Sequence, residues 1–181
     1  MIDDNLRWLL SFYRGSELAG ALFFGQLGRR LDPGRIQIDI THHFADEAQH
    51  ARWWTEALEA LGAEPLTLAG NYQDRYLREA GLPANLMEVL AVTQVFEQRV
   101  IRQYHRHRAA QALPQVVAAT LDRILLDERR HIAWVRAALA AQRHVLGDEA
   151  VDAALARYRA ADERIHAALL AEHAGRVREL A

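Results

Sequence analysis

Six residues of two types carry the most informative chemistry in this chain: Glu17, Glu47, His50, Glu97, Glu128 and His131. Two of the glutamates open the same short pattern, Glu47-x-x-His50 and Glu128-x-x-His131. Residues three apart on a helix share a face, so each Glu and its His would point the same way, one turn apart. Carboxylate oxygens and imidazole nitrogens together suit divalent first-row cations. Four carboxylates neutralise two such cations, and two imidazoles give each cation one nitrogen. The gaps repeat as well, with 30 residues from Glu17 to Glu47 and 31 from Glu97 to Glu128. That points to two equivalent hairpins related by pseudo-symmetry.

Holding these side chains together requires long helices, and the punctuation of the chain supplies them. All four prolines fall between long segments, at Asp32-Pro33-Gly34, at Pro65 between Gly62 and Gly70-Asn71, at Gly81-Leu82-Pro83 and at Leu113-Pro114. Gly147-Asp148 marks one more break. The remaining segments, roughly 3–31, 35–61, 84–112, 115–145 and 148–173 with a short one near 71–80, are rich in Ala, Leu, Arg, Glu and Gln. None alternates with the period of a half-buried strand. The expected class is all-α. The first segment is the least favourable helix, because Gly15, Gly20, Gly25 and Gly28 each cost about 1 kcal/mol against alanine.

Connection lengths suggest a topology. Short joints near 32–34 and 112–114 make two antiparallel hairpins. The link from about 62 to 83 can span roughly 45–50 Å, enough to cross a helix of about 42 Å. The expectation is a four-helix bundle of two hairpins joined by a long crossover over residues 1–146, with a C-terminal fifth helix over 147–181 packed on the same domain.

At about 100° per residue each of the four segments 3–31, 35–61, 84–112 and 115–145 has an apolar stripe with a glutamate in its middle. Glu17 lies among Leu6, Leu10, Tyr13, Phe24 and Leu31, with Leu27 at the edge; Glu47 lies among Ile36, Ile40, Trp54, Leu58 and Leu61. Glu97 lies among Leu86, Leu90, Val100, Ile101 and Tyr104; Glu128 lies among Val117, Leu121, Ile124, Ile132, Val135 and Leu139. One unpaired buried carboxylate costs several kcal/mol or takes up a proton. The chain has no lysine, and no arginine stands at the centre of these four stripes, Arg14 reaching only an edge. Metal cations are the natural partners. A third copy, Glu163-x-x-His166, serves as an internal control, since Glu163 points roughly 120° away from its helix's stripe. It reads as solvated.

Asp46 and Asp127 each precede an ExxH glutamate, and a metal-bound histidine usually gives its other N–H to a carboxylate. Each Asp is therefore a candidate acceptor for the histidine of the opposite helix. His43, one turn before Glu47, is either a seventh ligand or proton carrier, or a core-edge histidine. Tyr13 and Tyr104 flank the centre as hydrogen-bond donors, electron carriers or simple core, and Trp54 reads as core. Gly20 and Ala21 beside Glu17 leave room for O2 or a substrate, or for close helix packing. Arg102, Arg106 and Arg108 with His105 and His107 form a basic helix end, which suits a C-terminus.

Composition removes several classes. The 181 residues suit one domain, and a 51% hydrophobic, 25% charged chain is that of an ordinary globular protein. A formal charge of −2 gives no whole-chain reason for nucleic acid or anionic membranes. The absence of cysteine excludes disulfides, thiolate zinc sites, cysteine-ligated iron–sulfur clusters and a catalytic thiol. No apolar run reaches about 18 residues, so no membrane span is expected. Met1-Ile2-Asp3-Asp4 has neither the basic region nor the apolar run of a signal peptide, and a cytoplasmic protein is expected.

Over roughly residues 3–143 the E…ExxH…E…ExxH pattern resembles the ferritin-like di-iron carboxylate superfamily. The resemblance implies that Glu47 and Glu128 bridge two irons, that Glu17 and Glu97 are terminal ligands, and that His50 and His131 each hold one ion. Manganese or a mixed iron–manganese pair is an alternative filling. The D-E-x-x-H form is similar to bacterial di-iron monooxygenases, and the size and spacing to bacterioferritin and ubiquinone-biosynthesis hydroxylases. The chain departs from some relatives. Ala48 stands where bacterioferritin carries its haem-ligating Met, so no haem is expected. Gln94 and Val100 stand where rubrerythrins add a second Glu, and no cysteine is present for a rubredoxin iron site. The segment 148–173 looks longer than the short fifth helix of cage-forming ferritins.

Three functions remain open. The first is an O2-activating oxidase or hydroxylase on a small organic substrate, expected as a homodimer. The second is iron handling, with Fe(II) itself as substrate of a ferroxidase or storage protein. The third is a non-enzymatic helical module with structural metals.

Overall fold

The computed structural model describes residues 2–69, 72–110, 112–173 and 176. Met1, Gly70, Asn71, Gln111 and most of the end of the 147–181 segment, all touched by the sequence reading, lie outside the described residues. The protein is all-helical, and no strand occurs among the described residues. The helices are α1 (Asp4–Gly28), α2 (Arg35–Ala60), α3 (Tyr72–Ala80), α4 (Leu86–Arg108), α5 (Gln115–Leu146) and α6 (Asp148–His173). None is long and apolar enough to cross a membrane.

Local chemistry accounts for the ends. Asp3 caps α1 by accepting from the backbone N–H groups of Asn5 and Leu6, and Asn85 caps α4 by accepting from Glu88. Glycines with left-handed φ follow three helices: Gly62 after α2, Gly81 after α3, and Gly147, which alone separates α5 from α6. α1 runs unbroken through Gly15, Gly20 and Gly25 because tertiary burial outweighs their weak propensity. It stops at Gly28, three residues earlier than expected, so Leu31 sits in the turn before Asp32-Pro33 rather than on the helix. α4 ends at Arg108, short of the expected 112.

The order of contacts fixes how the helices run. Between α1 and α2, Tyr13 meets Trp54 and Phe24 meets His43, so these two are antiparallel. Between α4 and α5, Arg108 meets Asp122, and Glu97 meets Glu128 further along. Between α2 and α5, Asp46 faces His131 and His50 faces Asp127. Along α2 and α4 the contacts rise together, His43 with Glu97 and Trp54 with Tyr104. α3 and its flanks carry the chain from the end of α2 to the start of α4, and α6 packs on α3, α4 and α5.

α6 is anchored by a buried ion pair. Asp162, 2% exposed, accepts from Arg99 on α4 at 2.8 and 2.5 Å and from the Tyr72 and Tyr76 hydroxyls at 3.0 and 2.6 Å. Three helices therefore meet on one carboxylate.

Candidate metal centre

All four stripe glutamates are buried, as are His50 and His131, and they converge between α1, α2, α4 and α5. Their donor atoms form two four-residue groups: Glu17, Glu47, His50 and Glu128, and His43, Glu47, Glu97 and His131. Within each group the donors lie within 4.8 Å of one another, and Glu47 belongs to both. Glu128 also reaches both sides, with Oε1 3.5 Å from His50 Nδ1 and Oε2 3.3 Å from His131 Nδ1. Glu47 Oε1 lies 4.0 Å from His50 Nδ1, 3.6 Å from His131 Nδ1 and 3.2 Å from His43 Nε2.

Both imidazoles of the paired motifs turn Nδ1 inward and Nε2 outward. His50 Nε2 lies 3.2 Å from Asp127 and His131 Nε2 lies 3.3 Å from Asp46, each an aspartate of the opposite helix. Arg130 joins these two aspartates from the surface side, 2.6 Å from Asp127 and 3.5 Å from Asp46. Tyr104 donates to Glu17, and Trp54 Nε1 donates to the Tyr104 oxygen at 3.3 Å. Tyr13 packs its ring against Trp54 and Tyr104.

His43 stands among the carboxylates rather than at the core's edge. It is stacked between the rings of Phe24 and His131, and its Nε2 is 3.1 Å from Glu97. It breaks the pseudo-symmetry, since shifting Glu47 to Glu128 carries His43 to Ile124. Tyr104 breaks it in the other half, because shifting Glu17 to Glu97 carries Phe24 to Tyr104. One group thus gains an imidazole and the other a tyrosine hydroxyl.

The electrostatics are those of crowded charges. Burial pushes Glu47 and Glu128 well above the usual carboxylate range, and neighbouring carboxylates push further. Burial also works upward on Glu97, but His43 and a bond to Glu128 outweigh it and bring it to about 2. For His50, burial works against the charged form, yet Asp127 and Glu17 raise it to about 10. Burial lowers His131, with Asp46 opposing. The His131 hydrogen bond holds Asp46 low. His43 Nε2 and His50 Nδ1 face this cluster buried and without a hydrogen bond. A buried nitrogen aimed at carboxylates it does not bond is the arrangement a cation would complete.

Other expectations have simpler outcomes. Glu163 is exposed, as a solvated control should be. Trp54 is fully buried, and it also donates to Tyr104. His105, Arg106, His107 and Arg108 do form a basic last turn of α4, and within it His107 is 1% exposed with its ring against Tyr13, because it lies one turn past Tyr104 on the inner face. Gly20 makes room for a neighbour, since a Cβ there would stand 2.4 Å from Glu47 Oε2. Arg130 and the Asp162–Arg99 pair were not anticipated. For Asp162 a signal existed, because it falls mid-stripe between Tyr158 and Ile165.

Comparison of the chain with protein-family models, with curated proteins and with solved structures finds no match.

Proposed function

We propose that this chain is a ferritin-like di-metal carboxylate protein that activates O2, its two hairpins and crossover forming a bundle around a pair of iron ions. The observation that carries the reading is the pair of buried four-residue groups sharing Glu47, with His43 Nε2 and His50 Nδ1 directed into them without a hydrogen bond. The donors fit hard-to-borderline divalent cations, and manganese would fit the same set. One ion would be held by Glu17, Glu47, His50 and Glu128, the other by His43, Glu47, Glu97 and His131, with Glu128 close to both. Bound iron would supply the redox chemistry that protein side chains lack.

The chain's own residues prepare the site. With cations bound, Asp127 and Asp46 would accept the Nε2 protons of His50 and His131, which would fix the tautomers and leave the Nδ1 lone pairs to the metals. Tyr104 holds Glu17 in one rotamer, and Trp54 holds Tyr104. Glu47 and Glu128 keep protons that an arriving cation displaces. The surrounding aromatic rings limit water around the carboxylates, which strengthens every charge interaction inside.

An organic substrate is favoured over iron as cargo by the apolar cleft that ends at Glu47 and Glu97. Anaerobic Fe(II) titration of metal-free protein, followed by O2, tests the reading. Two irons per chain and protein-dependent oxidation are expected, with both lost in Glu47→Ala and Glu128→Ala. Iron content unchanged in both variants would overturn it.

A further inference from the structure

A cleft of about 290 Å³ opens between α1, the turn after α3, and α4. Phe24, Tyr76, Val92 and Phe96 form its sides, and the exposed Leu22 and Gly81 form its mouth. Its deep end is made by Glu47 and Glu97, where Gly20 presents no side chain. The volume sits at the lower end of the roughly 300–1,000 Å³ usual for small-molecule sites. The Glu17 side of the centre borders a much smaller space, where Glu17 and Tyr104 line only about 20 Å³.

Three features select the occupant. The walls are mostly apolar, so the body of the ligand must be too. No arginine lines the cleft, so a carboxylate or phosphate would meet no counter-charge. The deep end carries two carboxylates, which oppose an anion further. We infer that the cleft binds an uncharged, predominantly apolar molecule of about one or two rings, and delivers it to the half of the centre built by His43, Glu47, Glu97 and His131. As a substrate site this rests on the di-metal reading; as a binding site it stands apart from it.

The test uses 4-fluorotoluene and its anionic counterpart 4-fluorobenzoate, followed by fluorine NMR on the metal-free full chain. 4-Fluorotoluene should bind at least tenfold more tightly than 4-fluorobenzoate. Val92→Trp and Ala19→Phe, which enlarge apolar lining residues and leave every carboxylate in place, should each weaken it at least tenfold. Equal binding of the two probes, or binding unchanged in both variants, overturns the inference. Should either variant fail to fold, crystals of the unaltered protein under xenon decide: xenon in this cleft supports it, and xenon only elsewhere overturns it. Binding of 4-fluorotoluene by a chain that takes up no iron would sink the di-metal reading and leave the cleft. Two bound irons with no 4-fluorotoluene binding would do the reverse.

Discussion

Replacing Gly20 with alanine perturbs a close approach of the α1 backbone to Glu47, a proposed metal ligand. The new Cβ would stand 2.4 Å from Glu47 Oε2 and 3.3 Å from its Cδ. Reaching van der Waals distance requires the carboxylate to retreat by roughly 1 Å. Metal–ligand distances tolerate only about 0.2 Å, so a displaced Glu47 is lost to both groups at once. Loss of a ligand's outer hydrogen-bond partner already costs about 10–100-fold in affinity. Gly20→Ala should therefore weaken metal binding at least tenfold, which is about 1.4 kcal/mol. Helix propensity works the other way, since alanine gains about 1 kcal/mol over glycine in a helix interior. Gly15→Ala isolates that gain, because nothing lies within 4 Å of its added Cβ. It should raise Tm by about 2–4 °C with metal affinity unchanged. Calorimetric titration of Mn(II) into metal-free protein, with thermal melts of both variants, separates the two effects. If Gly20→Ala binds Mn(II) as tightly as the unaltered chain, Glu47 does not hold the metals from where it stands.

Three more outcomes follow from the same geometry. Asp127→Asn and Asp46→Asn should each weaken Mn(II) binding about 10–100-fold by releasing the His50 and His131 tautomers, and unchanged dissociation constants would count against those contacts. Burial works against the charged His50, but Asp127 and Glu17 bring it from 6.5 to about 10, so its contribution to stability is complete below 6.5 and lost as pH rises through 10. Glu47 and Glu128, raised by burial, act in the same direction from 4.5 upward, while Glu97, at about 2, contributes above 4.5 and fails only as pH falls through 2. Metal-free protein should thus lose Tm between pH 6.5 and 10, whereas metal uptake at pH 7 should release at least the His50 proton, read with an indicator dye. A flat melting profile, or no proton release, refutes this. Asp162→Ala strands Arg99 and two tyrosine hydroxyls and should cost about 3–5 kcal/mol, a Tm fall of roughly 6–20 °C; a fall of under about 2 °C would show the pair to be dispensable.

How legible was this in the sequence? Helical periodicity sets which face of a helix a residue occupies, and the central glutamates of α1, α2, α4 and α5 were legible for that reason. Aspartates at 46 and 127 were legible too, because their offset by one residue from a core glutamate turns them toward the neighbouring helix rather than the centre. Periodicity carries no information on depth or on which helices touch. His43 shares the Glu47 face, yet only the close packing of α1, which brings Phe24 over its ring, sets it 3.1 Å from Glu97. Gly20 read equally as space for a ligand or for packing, and both readings hold, since it admits Glu47 and also lines the cleft.

Buried carboxylates demand partners on every helix of this chain. On α6 the ExxH glutamate, Glu163, is exposed and solvated. Asp162, the adjacent residue, lies on the buried stripe and is paired, with Arg99 supplying the cation. The contrast sharpens the proposed centre. Where this chain buries an acid for structure alone, it brings an arginine and two tyrosines to a single carboxylate. At the centre it buries four carboxylates with three imidazoles and no arginine, two of the imidazoles keeping an unbonded nitrogen directed inward. A sequence able to satisfy a buried acid so completely in one place has left the other set in the arrangement that bound cations would complete.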